Sequence, residues 1–234
     1  MSDYIIIIPV FNNVDRFKRY TYKFVTKYNL KSKCVLLIQN DKDAKDYKEA
    51  FPDIKQQRTP AGLFKAVNFM TSKLPHNKKI VVLNDDLSSL KKLSGDKLVD
   101  VSDVNNLFIS IFNELKKSKL SLAGFYPMQS AGYMKERQAV TKDLRFIQGT
   151  LYLYLNKGIK LKDGGKSDYM FTIDNYRKDG GVLRYNHIGM RYIYEANHEE
   201  RGDLEKFLKQ YGDYVSKVIR HKGGTSSVLL KKNP

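Results

Sequence analysis

The sequence predicts an α/β fold in a single domain, with a mostly parallel, Rossmann-like central sheet and helices on both of its faces. Short apolar runs alternate with segments whose apolar residues recur every three or four positions, as strands alternating with amphipathic helices do. Three of these runs end in Asn or Asp side chains. Because parallel sheets bind ligands at the carboxyl ends of their strands, these endings predict a polar site at one edge of the sheet.

The opening of the chain predicts a β-α-β unit. Residues 4–10 form a β-branched run interrupted by a proline, whose missing N–H ends a ladder of hydrogen bonds. A helix follows over Asp15–Tyr28, because four aromatic residues recur there at helical spacing. The second strand, residues 34–39, ends in Asn40 and Asp41. We expect a right-handed crossover between the two strands.

The third strand carries the most informative residues. Thr59 and Pro60 predict the start of the preceding helix, as an N-cap followed by a proline in the first helical position. The strand itself, residues 79–83, runs into Asn84 and two carboxylates. Acids at this edge of a sheet can hold a divalent cation beside a diphosphate, whereas as turn formers or helix caps they need no ligand. Both interpretations stay open from the residues alone.

The middle of the chain is less regular. After Leu87 a connector rich in lysine and serine leads to a helix from about Ser102 to Lys117, with Ser102 or Asp103 as its cap. Residues 121–127 predict another strand. The polar segment 128–143 predicts a loop or hairpin over the site, where an acceptor commonly binds. Residues 146–154 return as an apolar element.

A late helix supplies a second candidate for chemistry. Paired glycines precede Ser167 and Asp168, either of which can cap a helix that Gly180 would end. A carboxylate in the first turn of a helix is stabilised in its ionised form, so Asp168 could take a proton from an acceptor hydroxyl. Asp174, further along the helix, is the alternative base. A capping role alone would require no ligand.

The formal net charge of +17 predicts an anionic partner. A surface biased toward lysine would carry the same charge without any partner. Tyrosine and phenylalanine are interleaved with the basic residues of the middle and final thirds, however, and this favours a nucleic-acid groove over a membrane helix. The candidate nucleic-acid contacts are Lys135, Arg137 and Arg145.

Composition excludes several other classes. The 234 residues, of which 41% are hydrophobic, suffice for one continuous core. The single cysteine, Cys34, lies in a predicted strand and excludes an intrachain disulfide. No apolar stretch approaches the roughly 20 residues that span a bilayer, and the N-terminus has no signal-like region. We therefore expect a cytoplasmic protein that does not act at a membrane.

The order of segments resembles the GT-A-fold glycosyltransferases. Five segments carry the resemblance: Ile8-Pro9-Val10-Phe11-Asn12-Asn13, Gln39-Asn40-Asp41, the helix 62–68, Asn84-Asp85-Asp86, and the Ser167-Asp168 helix with Gly180-Gly181-Val182 after it. More narrowly, the short, basic chain resembles phage and viral glycosyltransferases associated with TET/JBP-type hydroxylases, which glycosylate hydroxymethylated pyrimidines in DNA. The resemblance implies a GT-A-like domain over 1–234, with a nucleotide-sugar half (1–90) and an acceptor half (91–234) that has a basic C-terminal segment.

The resemblance also implies ligands and residue roles. Asp86 would hold Mn²⁺ or Mg²⁺ against the diphosphate of a nucleoside-diphosphate sugar, with uridine as the expected base. Asp85 would lie near the ribose or the donor sugar, and Asn84 departs from the usual Asp-x-Asp pattern by occupying its first position. The residues implied beside the base or ribose are Pro9, Phe11, Asn12, Asn40 and Asp41. Those implied along the nucleotide are Gly62, Lys65 and Asn68.

Three further residues are candidates near the leaving group. His187 and His198 follow the late helix, where the family sometimes supplies a final metal ligand, although a lone histidine is more often a surface or hydrogen-bonded core residue. Arg191 is a candidate cation for the departing nucleotide. Asp168 corresponds to the acceptor-activating carboxylate, and direct attack with its help would invert the anomeric centre.

The expected function is transfer of a hexose or pentose from a nucleotide sugar to a hydroxymethylated pyrimidine, a modification of phage or viral DNA. Two alternatives stay open. One is a glycosyltransferase of the same fold acting on a glycan, lipid or protein. The other is a nonenzymatic nucleic-acid-binding protein whose acidic strand ends are only turns. The sequence leaves the sugar, the nucleotide base and the oligomeric state undecided.

Overall fold

The computed structural model describes residues 4–164, 166–193, 204–220 and 226–234. Its strands are β1 (Ile5–Pro9), β2 (Cys34–Ile38), β3 (Lys55–Arg58), β4 (Lys79–Leu83), β5 (Leu87–Ser94), β6 (Lys97–Asp100), β7 (Leu122–Tyr126), β8 (Val140–Thr141), β9 (Leu151–Leu155), β10 (Leu183–Tyr192), β11 (Val215–Arg220) and β12 (Ser226–Leu230). Its α-helices are α1 (Val14–Arg19), α2 (Thr21–Lys27), α3 (Asp41–Ala50), α4 (Leu63–Ser72), α5 (Val104–Ser118), α6 (Ala131–Lys135), α7 (Ser167–Asp179) and α8 (Leu204–Tyr211).

The central sheet confirms the predicted α/β class. Its order is β3-β2-β1-β4-β9-β7-β10-β5-β6, with β8 paired to β10. Strands β3, β2, β1 and β4 are parallel, while β9 runs antiparallel between β4 and β7. The carboxyl ends of β1, β2 and β4 therefore lie at one edge, which brings their polar endings to the same side of the sheet.

Apolar side chains cover both faces of the sheet. In β1, Ile6 and Ile8 belong to one core cluster, which Phe108 of α5 shares, whereas Ile7 belongs to the cluster on the opposite face. Phe171 of α7 packs in that second cluster. Alternation of this kind is typical of a parallel sheet buried on both faces. The two faces of the sheet are therefore closed to ligands, and the carboxyl edge is where a ligand can bind.

The predicted helix over Asp15–Tyr28 is wrong in one respect, because the structure divides it into α1 and α2 at Tyr20. Thr21, the first residue of α2, is fully buried and uses its hydroxyl to contact the turn after β4. These contacts join residues far apart in sequence. A local apolar spacing carries no information about them, and so it predicts one uninterrupted helix.

The predicted start of α4 at Thr59 and Pro60 is also wrong. Thr59 instead donates its N–H and its hydroxyl to the Ile38 carbonyl, which continues the sheet beyond β3. Gly62 is the N-cap and has φ 104°, a backbone conformation that favours glycine. The helix therefore begins three residues later than the proline suggests.

The connector expected after Leu87 is a β-hairpin, β5–β6, in which β5 also pairs with β10. Its lysines and serines lie on the last two strands of the sheet, which are partly exposed and do not need a continuous apolar sequence. The segment 128–143 contains the short helix α6 and strand β8. Only the second half of the predicted apolar element 146–154 is a strand, because β9 begins at Leu151.

Two predicted helix ends are confirmed. Asp103 caps α5 by accepting a hydrogen bond from the Asn106 N–H at 2.9 Å. Gly180 ends α7 in the left-handed conformation. Beyond α7, α8 and the β11–β12 hairpin form a small third cluster around Phe207 and Tyr211. Among the described residues, no helix combines the length and apolarity required to cross a bilayer.

Candidate active site

A cavity of about 290 Å³, hereafter the edge cavity, opens at the carboxyl edge of the sheet. Asn84 and Asp86 reach it from the turn after β4, and Asp168 reaches it from the first turn of α7. Gln148 lines it from the segment that precedes β9. The two carboxylates singled out in the sequence for metal binding and for acceptor activation therefore share one cavity.

The turn after β4 is held by hydrogen bonds on both sides. The Thr21 hydroxyl donates to the Asn84 carbonyl at 2.7 Å and accepts from the Leu87 N–H at 3.0 Å. The Asn84 N–H donates to the Thr150 carbonyl at 2.8 Å. The backbone of the acidic turn is thus fixed by α2 and by the approach to β9. Sequence reasoning missed Thr21, since nothing in the sequence connects it to this turn.

Arg16 is a second residue that sequence reasoning missed. Its Nη2 atom lies 3.0 Å from Asp85 Oδ1 and 3.5 Å from Asp86 Oδ2, and the exposed fractions of the three side chains are 19%, 13% and 10%. One guanidinium thus faces two largely buried carboxylates. Opposite charges at these distances offset part of the free energy that burying each charge costs. Arg16 also lines the edge cavity, so a fixed positive charge stands beside the acids.

The donor atoms in the cavity fit a divalent cation that shares its shell with a substrate. Among the described residues, no three His, Cys, Asp or Glu side chains are grouped closely enough to hold a metal ion. Asp86 and Asn84 still offer carboxylate and amide oxygens to the same space. Mg²⁺ is commonly bound through one or two carboxylates together with substrate phosphates, and Mn²⁺ accepts similar oxygen ligands. Asp86 is therefore suited to hold such an ion only when a diphosphate is present.

The Asp168 carboxylate is held in position by the backbone of Gly149. Its Oδ2 accepts a hydrogen bond from the Gly149 N–H at 2.9 Å. A Cβ atom at Gly149 would lie 2.5 Å from Asp168 Oδ1, so only glycine allows this approach. The capping alternative is wrong for Asp168, because the N-cap of α7 is Lys166, whose side chain makes no capping hydrogen bond. The carboxylate instead points across to the segment before β9, at the edge cavity.

Gln148 leaves an acceptor unused in this cavity. Its Oε1 atom is buried and has no hydrogen-bond partner in the described part of the chain. A buried amide oxygen without a donor costs free energy, so a site of this kind is suited to a ligand that brings a hydroxyl or N–H group. The sequence shows Gln148 only as a polar residue before an apolar run, which is a weak signal.

The residues implied beside the base lie near this edge in different environments. Phe11 is 55% exposed. The Asn12 N–H donates to the Asp43 carboxylate at 3.1 Å, and the Asn40 side chain accepts from the Asp43 N–H at 2.8 Å as the N-cap of α3. Asp41 is almost fully exposed and pairs with Arg58, whereas Pro9 is buried in the strand. None of these five residues is among the described residues that line the edge cavity.

The three residues implied along the nucleotide also lie in different environments. Lys65 is exposed on the first turn of α4, and the Gly62 N–H donates to Gln39 Oε1 at 2.7 Å. The Asn68 amide exchanges two hydrogen bonds with the Leu161 backbone, at 2.8 and 2.9 Å. Leu161 lines the edge cavity. Asn68 therefore supports the wall of the cavity, and its amide is already used within the chain.

Asp174 does not reach the edge cavity. It lies 2.7 Å from the Lys162 ammonium and accepts hydrogen bonds from the Tyr211 hydroxyl at 3.1 Å. Arg177 lies 3.8 Å away, so Asp174 takes part in a polar network between α7 and α8. The helical period explains the difference, since Asp168 and Asp174 lie on different faces of α7. The geometry favours Asp168 as the base.

The other candidates near the leaving group lie elsewhere. His187 Nε2 is 2.8 Å from the Arg137 carbonyl, and His187 is not among the described residues that line the edge cavity. Arg191 is exposed, and its neighbour Tyr192 lines the cavity instead. His198 falls outside the described residues. The structure therefore brings neither His187 nor Arg191 to Asp86.

The predicted nucleic-acid contacts are only partly brought together. Arg137 and Arg145 line a second cavity of about 360 Å³. Lys135 lies on α6 and pairs with Asp96 of the β5–β6 hairpin instead. The two arginines thus share a surface, and Lys135 lies outside it.

The sequence matches no protein-family model and no curated protein. Its fold has counterparts among solved structures. The mannosyltransferase PcManGT from Pyrobaculum calidifontis, solved with GDP-Man and Mn²⁺, aligns with a TM-score of 0.57 and 10% identity over 84% of this chain and 58% of that one. Glucosyl-3-phosphoglycerate synthase from Mycobacterium tuberculosis, solved with Mn²⁺, UDP and glucosyl-3-phosphoglycerate, aligns with a TM-score of 0.56 and 12% identity over 98% and 88%.

TarS from S. aureus, residues 1–349, aligns with a TM-score of 0.53 and 10% identity over 80% of this chain and 59% of that one. The chain spans less than two thirds of the length of the mannosyltransferase and of TarS, and most of the length of the synthase. At these identities the likeness concerns the fold. The chain has the GT-A fold of these glycosyltransferases.

Proposed function

We propose that this protein is a metal-dependent glycosyltransferase that moves a hexose or pentose from a nucleoside-diphosphate sugar to a hydroxymethylated pyrimidine in DNA. The observation that carries the proposal is the edge cavity, in which Asp86 and Asp168 meet although they come from distant parts of the chain. The GT-A counterparts support the donor class, since their structures contain GDP-Man or UDP together with Mn²⁺. UDP is the expected carrier.

In the donor half of the proposed site, positive charges would neutralise the leaving nucleotide. Breaking the bond between the sugar and the diphosphate leaves additional negative charge on the departing nucleotide. A Mn²⁺ or Mg²⁺ ion held by Asp86 would neutralise part of this charge as a Lewis acid. Arg16 supplies a second positive charge from the protein, held in place by Asp85 and Asp86. Fixed charges of this kind stabilise a transition state without the cost of reorganising solvent.

The acceptor half requires a base. Asp168 would take the proton of the hydroxymethyl group as its oxygen forms a bond to the anomeric carbon and the bond from that carbon to the diphosphate breaks. Attack from the face opposite the leaving group inverts the anomeric centre. The hydrogen bond from the Gly149 N–H would hold the carboxylate in the orientation that proton transfer requires.

The DNA acceptor is supported by charge. The net charge of +17 produces a field that attracts polyanions. Arg137 and Arg145 lie together in a cavity in the acceptor half. A hydroxymethyl group on a pyrimidine projects into the major groove, so the enzyme must reach into the groove or extrude the nucleotide.

The proposal is tested by incubating the protein with Mn²⁺, a mixture of nucleotide sugars and DNA containing hydroxymethylcytosine or hydroxymethyluracil. The DNA is then digested and its nucleosides are measured by mass spectrometry. A mass gain of one hexose or pentose supports the proposal and identifies the sugar class. Donor binding without any gain in the DNA would contradict the DNA acceptor and favour a glycan, lipid or protein instead.

Gln148→Met is expected to stabilise the free protein and to weaken donor binding. The substitution removes a buried oxygen without a partner, so the free energy of unfolding should rise by about 1 kcal/mol. The same substitution removes the acceptor for a ligand hydroxyl, so the KM for the donor should rise about tenfold. Urea denaturation and donor titrations measure the two effects. A variant that is less stable than the parent would show that Gln148 has no unmet acceptor.

A further inference from the structure

The second cavity, hereafter the arginine cavity, lies between β8, β10 and the segment after β8. Its volume is about 360 Å³. Its charged lining residues are Glu136, Arg137, Asp143, Arg145, Arg184 and Lys232. Four of these side chains are cationic and two are anionic. The cavity therefore carries an excess of positive charge apart from the edge cavity.

Arg184 is the most unusual member of this group. It is only 7% exposed, yet no carboxylate of the described residues forms an ion pair with it. Its Nε donates to Asn186 Oδ1 at 2.7 Å, and its Nη1 contacts the Phe146 carbonyl at 3.4 Å. Burial, together with repulsion from Arg145 and Arg137, lowers the pKa of Arg184 to about 10. The charge of Asp143 offsets this repulsion only in part, and Asp143 forms its ion pair with Arg145. A buried cation that has no ion pair of its own is costly unless an anion binds beside it.

Arg137 adds a second positive charge that is not balanced within the described residues. Its Nε donates to the Tyr126 hydroxyl at 3.2 Å. The guanidinium groups of Arg137 and Arg184 lie 5.2 and 5.6 Å from the centre of the same Tyr126 ring. Arg145, in contrast, forms an ion pair with Asp143, with contacts of 3.0 and 2.8 Å. Two guanidiniums are thus held on one ring with no carboxylate of their own.

This arrangement matches a phosphate group. Guanidinium groups present several N–H donors in a fixed plane, and they bind phosphate oxygens with charge-assisted hydrogen bonds. Tyr133, Met128 and Val140 are exposed on the elements beside the cavity, with exposed fractions of 58%, 46% and 38%. Aromatic and apolar side chains beside a basic groove are typical of surfaces that bind a nucleic-acid strand.

We propose that the arginine cavity binds a backbone phosphate of the acceptor DNA, with Arg184 and Arg137 as its principal ligands. This inference rests on the proposed function for the identity of the acceptor. It assigns to Arg184, which the sequence did not single out as a nucleic-acid contact, the central role in holding that acceptor.

The position of the cavity suits an extruded nucleotide. Arg145 of the arginine cavity and Gln148 of the edge cavity are three residues apart, so their Cα atoms are at most roughly 10 Å from each other. Between them, Phe146 stacks on Tyr169 at 4.1 Å, next to Asp168. A nucleotide whose base enters the edge cavity would keep a neighbouring phosphate at the arginine cavity.

The test measures DNA binding without the sugar-transfer reaction. A fluorescein-labelled duplex without hydroxymethyl groups is titrated in the absence of nucleotide sugar, at several salt concentrations, with fluorescence anisotropy as the readout. Arg184→Gln and Arg137→Gln are each expected to weaken binding about tenfold. Each should also reduce the slope of log K against log salt by about 0.9, the value for one phosphate contact on duplex DNA. Arg137 is exposed, so its variant remains informative if Arg184→Gln does not fold.

Two further variants separate a specific site from general charge. Arg19→Gln removes the same charge from an exposed position at the end of α1, and the salt slope should stay unchanged. Asp143→Asn releases Arg145 from its ion pair and removes one of the two carboxylates that line the cavity, so binding should become tighter. A gain of affinity is not a result that misfolding produces. Equal affinities and slopes for the parent, Arg184→Gln and Arg137→Gln would overturn the proposal.

A small phosphorylated ligand is the competing source of the same chemistry. Inorganic phosphate that raises the melting temperature of the parent but not of Arg137→Gln, without any effect of the arginine variants on DNA affinity, would also overturn the proposal. The proposed function fails in a different way. If DNA binding depends on Arg184 but no sugar reaches hydroxymethylated DNA, the phosphate site stands and the transferase does not. If sugar reaches hydroxymethylated DNA at the same rate in Arg184→Gln as in the parent, the transferase stands and the phosphate site does not.

Discussion

Asp86→Asn is expected to reduce sugar transfer roughly a thousandfold while the fold persists. Asparagine keeps the shape of the side chain but removes the charge that would hold a divalent cation against the diphosphate. The ion pair between Arg16 and Asp85 at 3.0 Å remains, so the acidic turn keeps its position. Transfer rates over a range of Mn²⁺ concentrations, together with thermal unfolding, measure both parts of this expectation. Loss of the stabilisation that Mn²⁺ and UDP produce together would locate the effect at the metal.

Asp46→Asn is a matched control for this variant, because Asp46 lies on α3 and pairs with the exposed Lys42. Its transfer rate should equal that of the parent. A different outcome at Asp86 would be equally informative. If Asp86→Asn remained active and the parent were active in EDTA, Arg16 rather than a metal ion would neutralise the leaving group, and the metal requirement would be wrong.

Asp168→Asn is expected to reduce transfer by about 10²–10⁴-fold while donor binding is retained. Asparagine can still accept the hydrogen bond from the Gly149 N–H, but it cannot take the acceptor proton. Separate measurements of the transfer rate and of UDP binding distinguish a lost base from a damaged site. Parallel loss of both would contradict the assigned role.

Two further variants sharpen the test of Asp168. Gly149→Ala places a Cβ atom 2.5 Å from Asp168 Oδ1 and should displace the carboxylate, so transfer should fall although Asp168 is still present. The stability cost should be small, since only the end of a side chain must move. Asp174→Asn perturbs the network with Lys162 and Tyr211 and should affect stability more than the chemical step. Loss of transfer in Asp174→Asn alone, with Asp168→Asn active, would reverse the assignment.

Much of the fold follows from patterns that are local in sequence. Apolar spacing predicted the strands β1, β2, β4 and β7 and the helices α4, α5 and α7, because period and burial are coupled within each element. It merged α1 with α2 and did not predict α3, α6 or α8. Cap chemistry left Ser102 and Asp103 as alternatives for the start of α5, of which Asp103 is the N-cap, and it correctly located the end of α7 at Gly180. The lysine-rich β5–β6 hairpin was missed, because its strands form by pairing with β10 and with each other, and their own composition does not favour strand.

The candidate site was predicted less completely than the fold. Asp86 and Asp168 could be selected because each follows a recognisable boundary, the end of a buried strand and the start of a helix. Arg16, Thr21 and Gln148 carry no such signal, since their roles depend on partners that are distant in sequence or on a buried atom left without one. Asn68 shows the opposite error. The resemblance implied that it contacts the nucleotide, but its amide forms hydrogen bonds with the Leu161 backbone.

The sequence by itself determined the α/β class, the polar endings of the parallel strands and the strong positive charge, because each depends on residue type and on spacing within one segment. Only the tertiary structure decided that Asp86 and Asp168 share a cavity, that Asp174 lies outside it, and that Arg137 and Arg184 lie on the same Tyr126 ring. The physical reason is that ion pairs, cavities and desolvation arise between elements. They depend on how helices and strands pack, and no local period encodes that packing.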